Sequence, residues 1–162
     1  MTTTPRPTHL PLQHQPSPVR VARQHTADTV RSWGIRDDLA DDLLLIVSEL
    51  VTNAEEHGGG ACTLRLTPCG TAGGLAVRAD VVDVGAPPAP PAPDLPDAEA
   101  EHGRGLVLID ALAADHGCRP TAGGGMTCWA CVAPPVPACL VKTVSGPGPR
   151  QRRRPCDLEA AA

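Results

Sequence analysis

The sequence predicts an α/β fold, an α+β two-layer sandwich with helices on one face of a β-sheet. Three observations predict it. Two helix-periodic segments, at about 17–34 and 37–58, follow each other with no strand between them. Two alternating segments, 61–67 and 75–84, are separated by a short loop rich in Pro and Gly, as in a hairpin. A third helical segment then precedes two more strand-like runs, so the order reads α, α, β, β, loop, α, β, β. Helices set apart from hairpin-joined strands bury their apolar stripes on one side of a sheet. The 162 residues suffice for one domain with its own core, and no internal repeat is seen. That core is expected over 17–133. Segments 1–16 and 134–162 read as disordered: the first is Pro-broken, and the second carries PPVPA, GPGPR and RQRRR with little to bury.

Ser17 before Pro18 reads as a helix N-cap with Pro at the first helical position. Val19, Ala22, Thr26, Val30 and Trp33 keep the helical period, and Gly34 stops it. The second helix starts near Asp37 or Asp38 and stops at Gly58-Gly59-Gly60. Leu43, Ile46, Val47, Leu50, Val51 and Ala54 form its apolar stripe. Residues 61–67, ACTLRLT, alternate as a half-buried strand, Pro68 to Gly74 form a loop, and LAVRADVVDV at 75–84 is the next strand. The prolines of APPAPPAPDLPDAEAE exclude a central helix or strand, and a long loop in a compact domain is usually functional or disordered. Gly103-Arg104-Gly105 is expected to open a helix over Leu106 to Asp115, with Gly117 as its stop. Cys118 to Pro120 reads as a short strand, Gly123 to Gly125 as a turn, and Thr127 to Val132 as the last strand.

Composition narrows the function classes. A net charge of −4 gives no electrostatic footprint for nucleic acid, so none is expected as a partner. The chain has no Phe or Tyr and two Trp, which argues against platforms for stacking single-stranded bases. No apolar run reaches the length of a bilayer span, and MTTTPRPTHLPLQHQP has no signal-peptide core, so a cytoplasmic location without membrane contact is expected. The seven cysteines are then expected as reduced, structural thiols. Cys128 and Cys131 form a CxxC, but no second ligand pair accompanies them for zinc. The basic run from Arg150 to Arg154 reads as a solvated tail.

Four features carry chemistry. Glu49, Asn53 and His57 recur every four residues and stack on one helix face. A carboxylate, a carboxamide and an imidazole in one row supply a base, a hard oxygen ligand and a polar contact. Asp83 ends a strand just before Gly85; its carboxylate is placed to accept a bond from an exocyclic amine, while the glycine lets a flat ring approach the backbone. Alone, this pair reads more readily as a plain turn. Gly103, Gly105 and Arg104 at a helix start offer backbone N–H groups and a cation to an anion, or simply a flexible helix start. Thr127 follows the glycine turn and has a hydroxyl to offer a phosphate or Asp83; read alone, it is an ordinary strand threonine.

In this order the motifs SELVTNAEEHGG, VDVGAP, GRGLVLIDALAADHG and GGGMTCWACV resemble the GHKL ATPase superfamily, which includes the gyrase and histidine-kinase ATP-binding domains. They are most similar to the small bacterial anti-sigma-factor serine/threonine kinases, over about residues 16–133. The resemblance implies the Bergerat HATPase fold, helices over one face of a mixed β-sheet, with ATP and Mg²⁺ as cofactors. It implies Asn53 as the Mg²⁺ ligand, Glu49 as the catalytic base and Asp83 with Gly85 as the adenine reader. Gly103, Arg104, Gly105 and Leu106 would bind phosphates at the helix start, Thr127 would close the adenine side, and His57 would touch ATP or cap its helix. Residues 86–102 would form the lid. The implied activity is phosphorylation or sequestration of a regulatory protein partner, an antagonist protein or a sigma factor, with homodimers common among relatives. The alternative is a non-catalytic, nucleotide-dependent binding module. Two positions depart from the pattern: Pro87 stands where many members have a second glycine, and Met126 where Lys is frequent.

Overall fold

The computed structural model describes residues 5–58, 61–71, 73–85 and 99–135, with backbone only for 99–104. Most of the expected lid, 86–98, and the expected tail from 136 onward lie outside the described residues. The elements in order are β1 (Thr8–Pro11), α1 (Pro18–Ser32), α2 (Asp37–His57), β2 (Cys62–Thr71), β3 (Gly74–Asp83), α3 (Glu99–Leu112), β4 (Asp115–Pro120) and β5 (Met126–Val132). The strands form one five-stranded sheet in the order β1-β2-β3-β5-β4. Every pairing among the described residues is antiparallel, where a mixed sheet was expected.

Helix α1 begins at Pro18 as expected, but Ser17 makes no side-chain capping bond; its carbonyl accepts the Val21 N–H instead. Gly34 ends this helix in the left-handed region at φ 67°, which side chains seldom adopt, and its N–H bonds the Arg31 carbonyl. Helix α2 carries Asp37 and Asp38 in its first turn, where they complement the helix dipole. Its stripe of Leu39, Leu43, Ile46, Val47, Leu50 and Val51 is buried. The stripe packs on Leu64, Leu66, Val77, Ala79, Val81, Ala130 and Val132, and Ile109 of α3 joins the same cluster. These strand residues share one sheet face by alternation, so the helices cover that face only.

Four boundaries differ from expectation. Residues 8–11 are not disordered: they add an edge strand, with Leu10 opposite Leu64 and packed against the core. Strand β2 continues through Pro68 to Thr71, because β1 pairs only with residues 63–66 and leaves Pro68 on an open edge where no N–H is needed. Helix α3 begins at Glu99 rather than Gly103; Glu-Ala-Glu is a strong helix start with acids at the positive end of the dipole. It stops at Leu112, and β4 starts at Asp115 and absorbs Gly117. The Trp129 ring lies across Gly117, where a Cβ would approach it to 3.2 Å.

The cysteines also depart from expectation. Cys118 and Cys128 face each other across β4 and β5 and form a disulfide, while Cys62, Cys69 and Cys131 are thiols. Residues distant in a scan for CxxC motifs become direct neighbours through strand register, at a Cα separation of 4.1 Å. Among the described residues no helix is long and apolar enough to cross a membrane.

Candidate functional site

Helix α2 crosses β2, β3 and β5, and its C-terminal half runs beside the end of β3. Between them lies a cavity of about 220 Å³ lined by Leu50, Asn53, Ala54, His57, Gly58, Val81, Asp83, Met126 and Cys128. The walls are therefore apolar, with a carboxamide, an imidazole and a carboxylate converging on them. A larger, open hollow of about 570 Å³ lies along α1 near Arg20, Arg23 and Leu44, and none of the sequence-predicted site residues lines it.

Asp83 is 7 % exposed. Its Oδ1 accepts the Gly85 N–H at 2.6 Å, a charge-assisted bond that fixes the carboxylate at the strand end. Three glycines make this placement possible. A Cβ on Gly58 would meet the Asp83 carboxylate, one on Gly85 would meet the Gly58 carbonyl, and one on Gly125 would meet the Asp83 carbonyl. Gly58 sits at φ −104°, open to any residue, so it is glycine for room and not for conformation. From the sequence Gly58 is legible only as a helix stop, and Val81, Met126 and Cys128 as strand residues, not as cavity wall. The burial of Cys62 and then the charges of Asp83 and Glu55 push its thiol up to about 11.

The sequence-predicted residues divide into groups. Asn53, His57 and Asp83 meet at the cavity, and Gly85 holds Asp83. Glu49 sits one turn before Asn53 and does not line the cavity. Its carboxylate packs on α3, where a Cβ on Gly105 would come within 2.6 Å of Oε2. Gly103, Arg104 and Gly105 lie inside α3, not at its start, so their N–H groups are not the exposed ones of the first turn. The Arg104 side chain lies outside the described residues. Leu106 is 57 % exposed and away from the cavity. Thr127 pairs with Val82, and alternation turns both to the sheet face opposite Asp83; Met126 and Cys128 form the wall instead.

This arrangement suits a flat ligand with an apolar face and an amine donor for the Asp83 carboxylate. The model of the histidine kinase-like ATPase domain family matches residues 12–131. A comparison with curated proteins finds no match. Among solved structures, the chain is similar to the RsbU and RsbW domains of Rv1364c from Mycobacterium tuberculosis, with 21 % identity and a TM-score of 0.58. That likeness concerns the fold. It covers 79 % of this chain and 32 % of the other, so the chain spans about a third of that relative's length. The family match spans most of the chain and takes in the helix, strand and glycine turn around the cavity: the chain belongs to the histidine kinase-like ATPase domain family.

Proposed function

We propose that the chain binds Mg-ATP at the α2–β3 cavity and acts as a serine/threonine protein kinase on a regulatory protein partner. The observation that carries this reading is the convergence of Asn53, His57 and a buried, glycine-packed Asp83 on one apolar cavity. The residues fit the implied ligands. The Asp83 carboxylate is an acceptor for the adenine amine, and Leu50, Ala54, Val81 and Met126 offer apolar surface to the ring. Ligand sites for whole molecules span about 300–1,000 Å³, so this cavity matches the base, with the phosphates outside it. Asn53 supplies one hard oxygen, in keeping with the few protein ligands Mg²⁺ takes beside phosphates and water. The bound metal would neutralise charge on the transferring phosphoryl group.

Glu49 lies one helical turn before Asn53, and in this reading it takes the proton from an incoming Ser or Thr hydroxyl. Its contact with Gly105 couples the base to α3, the helix that follows the lid segment. The resemblance of the motifs to the small anti-sigma-factor kinases supports an anti-sigma type of partner, with the antagonist protein as substrate and a sigma factor as the held protein. We place the protein in the cytoplasm on its apolar pattern, and as a homodimer on the family resemblance. A second reading, a nucleotide-dependent module that sequesters its partner without chemistry, is favoured by the position of Glu49 outside the cavity wall.

Transfer of label from γ-labelled ATP to a co-purified partner tests the kinase. Wild type is expected to label a Ser or Thr, and Glu49→Ala is expected to bind Mg-ATP without labelling. Intact partner binding with no transfer by wild type would instead support sequestration.

A further inference from the structure

We infer that Cys118 and Cys128 form a thiol–disulfide exchange site built into the wall of the nucleotide cavity, which responds to low-molecular-weight thiols and disulfides. The inference rests on the ATP reading of that cavity. The two cysteines are direct register partners on β4 and β5, and Cys128 also lines the cavity beside Val81, Asp83 and Met126. Cys118 is exposed on β4, the last strand of the sheet. The disulfide thus joins an exposed residue to one that lines the wall of the proposed ligand site. A small thiolate reaches the Cys118 Sγ; it bonds there, the Sγ–Sγ bond breaks, and Cys128 leaves as a thiolate that takes up a proton. A second small thiol then displaces Cys118. The products are two protein thiols and one low-molecular-weight disulfide, and the reverse reaction consumes that disulfide to close the pair.

The bond also governs the shape of the site. It closes the segment 118–128, which contains the glycine turn. There the Thr121 N–H bonds the Gly125 carbonyl at 2.8 Å, and the Gly125 N–H bonds Thr121 Oγ1 at 3.1 Å. Gly125 packs its backbone against the Asp83 carbonyl. The disulfide therefore fastens the turn that backs Asp83, and opening it leaves the strand ladder and the turn's own hydrogen bonds in that role. Of the two bonded cysteines, Cys118 is exposed and Cys128 is half-buried in the cavity wall, which makes Cys118 the point of attack.

The test uses the full chain after treatment with excess glutathione disulfide or with a phosphine reductant. Peptide mapping after alkylation is expected to find a Cys118–Cys128 linked peptide in the first sample and two alkylated peptides in the second. Calorimetric titration with Mg-ATP is expected to give an affinity about fivefold or more weaker in the reduced protein. Cys118→Ser is expected to bind like the reduced form under both treatments. Absence of the linked peptide, or equal ATP affinity of the oxidised and reduced forms, overturns the inference alone. Absence of ATP binding in both forms overturns the ATP reading, and the inference with it.

Discussion

Gly58→Ala perturbs the site with a single methyl group. The position has φ −104° and ψ 8°, so alanine meets no backbone penalty there. The new Cβ would overlap the Asp83 carboxylate and sit 2.6 Å from the Ala54 carbonyl oxygen. The carboxylate must swing away, breaking its 2.6 Å bond from the Gly85 N–H. Overpacking of this kind costs about 1–3 kcal/mol, and a hydrogen bond to a charged group is worth about 1.5–3 kcal/mol. A total of roughly 2.5–6 kcal/mol corresponds to a fall in Tm on the order of 10–25 °C for a domain of this size. Loss of the acceptor for the adenine amine weakens Mg-ATP by about 10- to 150-fold. Gly123→Ala is the control, since a Cβ there meets nothing within 4 Å. Calorimetry with Mg-ATP and thermal unfolding followed by circular dichroism read both quantities. Wild-type affinity and Tm in Gly58→Ala would refute the packing argument.

Asn53→Ala is expected to weaken ATP at least about tenfold in Mg²⁺ but little in a chelator, because it removes an oxygen ligand and not a base contact; titrations in the two buffers check this. Ile46→Ala empties a fully buried site in α2 and is expected to cost about 2–5 kcal/mol in urea unfolding. The Cys62 thiol at about 11 leaves roughly one thiolate in a thousand at pH 8, so alkylation is expected to be far slower folded than unfolded. Because this folded value is raised, its stabilising contribution is complete below the unfolded thiol range and lost as pH rises toward 11. Burial holds His25 below its ordinary range despite the nearby Asp28. Its contribution is therefore present above about 6.5 and declines as pH falls below that, and His25→Gln is expected to flatten the acid limb of a Tm–pH profile.

Most of the fold was legible because apolar periodicity reports burial directly. The stripe of α2 and the alternation of β3 predicted the layer they form. Strand β1 is hidden because four residues that follow Pro7 and end on Pro11 carry almost no pattern, and pairing with β2 creates the strand. The start of α3 was misplaced because the glycines outweighed Glu-Ala-Glu in the reading. At the site, the spacing of Asn53 and His57 on one helix face was visible, as was Asp83 at a strand end. The role of Gly58 was not, since a glycine after a helix looks the same whether it serves conformation or space. Thr127 shows the converse limit: one residue of register decides which face a strand side chain takes.

Amide chemical-shift mapping of isotope-labelled protein titrated with Mg-ATP tests the central claim most directly. The account predicts the largest shifts at Asn53, His57, Gly58, Asp83, Gly85 and Cys128, around the α2–β3 cavity. Shifts gathered instead along Arg20, Arg23 and Leu44 in the α1 hollow, or none at millimolar nucleotide, would contradict it.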